Sequence, residues 1–193
     1  MDRREVLQRM LGAVGAGLAM PALAVTHPMR GHLADHARVA AADARASAGA
    51  KPEFLEAQQF ETLVSLAERI LPGSTRANVA PFIDQLLAVD TQENQRGFLG
   101  ALSALESESM ARYRRPWQTL NDAQQVELLT AASSDRPSPE PSRPPTLRDR
   151  FDHLKDWIAG AYYSSEIGMR ELGWTANVFF ASYRGCEHPG GHR

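Results

Sequence analysis

Sulfur and imidazole are concentrated at the end of the chain, where Cys186-Glu187-His188-Pro189-Gly190-Gly191-His192 places one thiol and two imidazoles within seven residues. A thiolate with two imidazoles suits zinc or copper, making Cys186, His188 and His192 weak candidate metal ligands. The Gly- and Pro-rich context equally describes a frayed terminus. A second pair, His32 and His36, would share one helical face at i,i+4. Its surroundings are so poor in large apolar residues that two solvated imidazoles are the competing reading. Further back, Tyr163-Ser164-Ser165-Glu166 sets hydroxyls beside a carboxylate. Those serines lack the glycine-flanked elbow that exposes a nucleophile, and Glu166 could serve as a base, a cap or an interface anchor.

The motifs that are missing narrow the chemistry further. The chain has no G-x-G-x-x-G after a strand, no P-loop, no C-x-x-C-H and no H-E-x-x-H, so standard routes to nucleotide, covalent haem and zinc-protease chemistry are not indicated. Iron–sulfur clusters need several cysteines, and Cys186 is the single one. One cysteine excludes an internal disulfide and leaves either a free thiol or a bond to another chain. A net charge of −2 with mixed signs gives no footprint for nucleic acid or for a polybasic membrane patch.

The N-terminus carries an address. Arg3-Arg4 precedes a short, weakly hydrophobic run from Met10 to Val25, closed by Pro21-Ala22-Leu23-Ala24. A charged start, an apolar centre and an A-x-A site form a cleavable export signal, and paired arginines mark the twin-arginine kind. Residues 1–24 are therefore read as signal peptide. The competing reading, a membrane anchor, needs roughly 20 apolar residues, more than this glycine-rich run supplies. Residues 25–53, rich in Ala, Arg, His and Asp, read as a flexible leader rather than core.

The remaining chain, 54–193, is long enough for one compact domain. Phe60, Leu63, Val64, Ala67, Ile70 and Leu71 recur at helical spacing, and Pro72-Gly73 ends that helix. Pro81 suits the first position of a second helix carrying Phe82, Ile83, Leu86 and Leu87. A third helix is predicted from about Gln92 to Tyr113, with Phe98, Leu99, Leu102, Leu105 and Met110 on its apolar face. Asn121 with Gln124 forms a capping signature for a fourth, through Val126, Leu128 and Leu129. Five prolines between Ser133 and Pro145 demand an exposed loop. Thr146 then caps a last helix in which Leu147, Phe151, Leu154, Ile158 and Ala161 keep the 3.6-residue period, widened by Trp157 and Tyr162. No alternating β-branched run occurs. The expected fold is all-α: about five helices in a small irregular bundle, followed by an extended C-terminal tail. Its aromatic and aliphatic groups need something to pack against, either a partner or the domain's own core.

With the export signal, Ala67-Glu68-Arg69-Ile70-Leu71-Pro72, Phe82-Ile83-Asp84-Gln85-Leu86-Leu87, Tyr162-Tyr163-Ser164-Ser165-Glu166-Ile167-Gly168, Glu171-Leu172-Gly173 and Gly185-Cys186 all in this order, the chain resembles the gluconate 2-dehydrogenase subunit 3 family over roughly Phe54 to Cys186. The resemblance implies a non-catalytic small subunit of a periplasmic sugar or polyol dehydrogenase. Its partner would be a flavoprotein of the glucose–methanol–choline type that binds FAD, and a cytochrome c subunit carrying haem c would pass electrons onward. The small subunit would bind no cofactor itself. It would supply the export signal, support folding and flavin retention, and meet the membrane only through the complex. On this reading Tyr162, Tyr163, Glu166, Ile167, Gly168, Trp174, Phe179 and Phe180 form the partner interface, and Cys186 could crosslink the subunits. The chain departs from the family pattern at Trp174 to Ala181, where prolines are usual. A free-standing periplasmic binding or chaperone module is the alternative, followed by a metal-dependent enzyme built on the terminal Cys/His cluster.

Overall fold

The computed structural model describes residues 27–32, 35–135 and 144–173. These contain seven α-helices and no strand: α1 His36–Ser47, α2 Ala57–Ile70, α3 Val79–Leu87, α4 Gln92–Tyr113, α5 Asp122–Ser134, α6 Leu147–Ser164 and α7 Glu166–Glu171. Short 3-10 turns at Pro28–His32 and Trp117–Thr119 complete the set. The fold is all-α, as the periodicity requires. Five of the helices are those expected; α1 and α7 are additional, and each replaces a segment read as unstructured.

α1 lies inside the stretch expected to be a leader. Val39, Ala42 and Ala46 on one face are buried and pack on α3. Small side chains bring two helix axes close without contributing the bulk that flags a core helix in sequence, which is why composition suggested a leader. Asp35 caps α1 by accepting a bond from Arg38 N at 3.0 Å. α7 opens what was read as an extended tail, with residues 174–193 outside the described part of the chain.

The helix boundaries follow local chemistry. Thr91 caps α4, Asn121 and Gln124 form a reciprocal capping box on α5, and Thr146 and Asp149 form another on α6, each satisfying N–H groups that a helix start leaves unpaired. α3 begins at Val79, two residues before Pro81. Proline is tolerated there because the first N–H groups of a helix have no intrahelical partner in any case. Val126 and Met110, expected on apolar faces, are exposed.

α6 is the hub, touching α2, α3, α4, α5, α7 and the first 3-10 turn. Its Phe151, Leu154, Trp157, Ile158, Ala161 and Tyr162 are buried, and Trp157 meets Phe98 of α4 edge-on with ring centroids 5.9 Å apart. α3 is covered on every side, from Val79 through Leu87 except the partly covered Pro81. Its Asp84 is 0 % exposed. The carboxylate accepts from Glu53 N at 2.7 Å, Phe54 N at 3.2 Å and Leu55 N at 2.8 Å, seating the chain between α1 and α2 on α3. Arg45 at the end of α1 reaches the same place, pairing with Glu53 and donating to Gln85 Oε1.

A second carboxylate shapes the turn between α2 and α3. Glu68 accepts from Gly73 N at 2.7 Å and Thr75 N at 2.8 Å. Gly73 has φ +97° and Asn78 φ +53°, left-handed conformations that suit glycine and asparagine. The two backbone bonds, Gly73 first, hold the Glu68 carboxyl below its ordinary value.

Three substitutions test these clamps. Asp84→Ala strands three backbone N–H groups and should destabilise by about 3 kcal/mol. Asp84→Asn, with one accepting oxygen in place of two, should fall between; equal denaturant midpoints for wild type and Asp84→Ala would refute the clamp. Glu68→Gln should lower stability by about 1 kcal/mol at pH 7. Because the folded-state value of Glu68 is lowered, its contribution is complete above the unfolded value of 4.5. It disappears as pH falls from there through the folded value, so the two proteins' melting temperatures should converge progressively as pH falls below 4.5.

Candidate functional site

The Tyr162–Gly168 block forms the corner between α6 and α7. Ser165 sits between the helices, with its Oγ donating to Tyr162 O at 2.6 Å and accepting from Gly168 N at 3.1 Å. Ser164 Oγ donates to Ala161 O at 2.9 Å. Both serines are buried, so their hydroxyls close the corner and are not presented as nucleophiles. A Cβ on Gly168 would fall on the backbone of Tyr162 and Tyr163; only glycine lets α7 fold back this tightly.

Tyr162 is 1 % exposed and locks the corner to the α2–α3 turn. Its hydroxyl donates to Glu171 Oε1 at 2.8 Å and lies 3.5 Å from Pro72 O. Burial, reinforced by the bond to Glu171, pushes this phenol up to about 12. Tyr162 and Gly168 therefore belong to the chain's own core, a correction to their expected place in a partner interface. A tyrosine with apolar body buried and hydroxyl satisfied has no surface left to offer another chain.

The rest of the block faces outward. Tyr163 and Ile167 are partly covered, Leu172 is exposed, and Glu166 is exposed and paired with Arg170 at 2.5 Å. Next to the corner, across Pro72 and Gly73, an open apolar groove of about 240 Å³ runs between α2 and α3, lined by Phe60, Val64, Ala67, Asn78, Ala80 and Pro81. Sequence periodicity placed Phe60 and Val64 on the buried face of α2, and both are only half-buried. Their i,i+4 spacing gave the stripe; nothing in it told that the stripe is wider than the neighbouring helix covers.

His32 and His36 do not form a solvated pair. His32 is 2 % exposed, with Nε2 donating to Asp90 Oδ2 at 2.9 Å, while the His36 side chain lies outside the described residues. Arg3, Arg4, Trp174, Phe179, Phe180, Cys186, His188 and His192 lie outside them as well. Among the described residues no three His, Cys, Asp or Glu converge on a metal position, and no helix is long and apolar enough to cross a membrane.

No curated protein and no solved structure matches the chain. A family profile described as gluconate 2-dehydrogenase subunit 3 matches residues 57–179, which starts at the first residue of α2 and takes in Asp84, the groove and the Tyr162–Gly168 corner. Covering well over half of the sequence, that match makes the chain a member of the gluconate 2-dehydrogenase subunit 3 family.

Proposed function

We propose that this chain is the non-catalytic small subunit of a periplasmic sugar or polyol dehydrogenase, exported by the twin-arginine route with a flavoprotein of the glucose–methanol–choline type that holds the FAD. The family match carries the reading, since a subunit 3 is by description one component of a larger dehydrogenase. Two structural features support it. The serines and tyrosine of the Tyr162–Gly168 corner are engaged in folding bonds, and an apolar groove lies open beside that corner.

The groove and the outer face of the corner take the flavoprotein. Phe60, Val64, Tyr163, Ile167 and Leu172 supply the apolar anchors, and Glu166 lies at the polar edge. Aromatic groups at the centre of an interface carry most of its binding energy. Trp174, Phe179 and Phe180 would extend the contact, and Cys186 would crosslink the subunits. Arg3 and Arg4 address the complex to the export machinery; a cytochrome c subunit with haem c receives the electrons. The small subunit supports folding and flavin retention, and the complex as a whole provides any membrane association.

Purification of the tagged chain from its native periplasm should bring down a roughly equimolar yellow partner. Phe60→Glu with Val64→Glu should reduce that partner at least about 30-fold, as loss of an interface hot spot does. The melting temperature should move little, because both side chains are half-exposed. A colourless, partner-free wild-type chain would overturn the reading. In a separate arm, Arg3→Lys with Arg4→Lys should leave both chains in the cytoplasm; export of the flavoprotein regardless would refute the shared signal.

A further inference from the structure

We propose that residues 27–32 form an acid-sensitive strap, seated on α6 at neutral pH and released when His27 and His153 are protonated. Release would untether the N-terminal segment from the hub helix of the fold.

The strap is built into the core. Met29 is 0 % exposed and occupies the space a side chain at 160 would need: a Cβ on Gly160 would come within 2.7 Å of Met29 Sδ and 3.0 Å of His27 Cε1. Gly160 is thus the socket on α6 into which the strap fits. At its other end, His32 bonds Asp90 and packs on Trp157 at a centroid distance of 6.0 Å. Asp90 is held in turn by Thr91 N and Asn94 Nδ2.

Both histidines are seated in their neutral forms. His27 Nδ1 accepts a bond from Met29 N at 3.3 Å, and a proton on Nδ1 removes that acceptor. His153 Nε2 is buried with no hydrogen-bond partner, 3.7 Å from where a Cβ on Gly97 of α4 would lie. A charge there has nothing to receive it, and unpaired buried charge is strongly unfavourable.

The surrounding charges give the sign. His153 meets uncharged Gly97 from α4, Arg150 from its own helix and His27 from the strap. Burial first, then Arg150 and His27, hold it below the ordinary histidine value. His27 faces Asp156 of α6, whose attraction only partly offsets the lowering by burial. Asp156 is itself pushed up by burial and influenced by Lys155 and Asp152. Lowered folded-state values mean that the seated strap binds fewer protons than the released one. Seating is complete above the free value of 6.5 and weakens as pH falls through the lowered values. With two protons taken up, the released population can rise by at most about 100-fold per pH unit.

The full-length protein labelled with ¹³C-methyl methionine tests this, with Met29 assigned by Met29→Leu. Between pH 7.5 and 5.0 the Met29 methyl should move from a core to a solvent-like position while far-UV circular dichroism is unchanged. In His27→Gln with His153→Gln it should stay in the core position at pH 5.0. Should the double variant misfold at pH 7.5, His27→Gln alone should cut the steepness to about tenfold per pH unit, one proton in place of two. A Met29 signal that does not move in the wild type, a shift that persists unaltered in the histidine variants, or a shift accompanied by loss of helix would overturn the proposal.

Discussion

Asp84 lies on a helix buried at every position but Pro81, and its carboxylate is accommodated there because it accepts from the backbone N–H groups of Glu53, Phe54 and Leu55. Burying such a group without partners would cost several kcal/mol, so the two features require each other. The chain must cross α3 at residues 53–55, and α3 must keep Asp84 facing that crossing. Once this is set, α1 runs in on one side of α3 and α2 leaves on another. Arg45, drawn to Glu53 and Gln85, fastens the end of α1 to the same point. The apolar residues around Asp84 then form the floor on which α6 rests.

α6 converts that floor into a surface. It buries one face against α3, α4 and α5 and ends at Ser164, where two buried serines and a glycine turn the chain sharply into α7. Tyr162 carries the result across to the α2–α3 turn by packing beside Pro72 and Gly73 while its hydroxyl donates to Glu171 of α7. Glu68 fixes the same turn from the other side. The wall of the apolar groove is therefore held by the Glu68 clamp on one side and by Tyr162 packed beside Gly73 on the other. A groove wall so constrained presents its apolar residues without further ordering, which lowers the entropic cost of binding a partner.

Several elements were legible from residue order, and the reason is local. The Thr91 cap of α4 and the capping boxes at Asn121 and Thr146 depend on side chains three positions from the backbone groups they satisfy, and the stop at Pro72-Gly73 depends on two residues that cannot continue a helix. The candidate site was less legible. The Tyr162–Gly168 block is conspicuous in sequence, yet its aromatic and hydroxyl content speaks equally for an interface, a catalytic cluster or a tight corner. Only the position of Glu171 and Pro72 around Tyr162 separates these. Phe60 and Val64 look like core residues, and their half-exposure depends on how far α3 extends beside them.

The Pro28–His32 strap and α1 mark the boundary most clearly. Amino-acid order determined the helical class, most helix ends and the family, since periodicity, caps and motif order are properties of near neighbours. It did not determine that Met29, His32, Val39 and Ala46 are interior. A segment of alanine, histidine and one methionine has too little apolar bulk to announce a core. It becomes one because Gly160 leaves a socket for Met29, Asp90 receives His32, and α3 accepts small side chains at close range. Those partners lie tens of residues away in the chain, and only the tertiary structure brings them within reach.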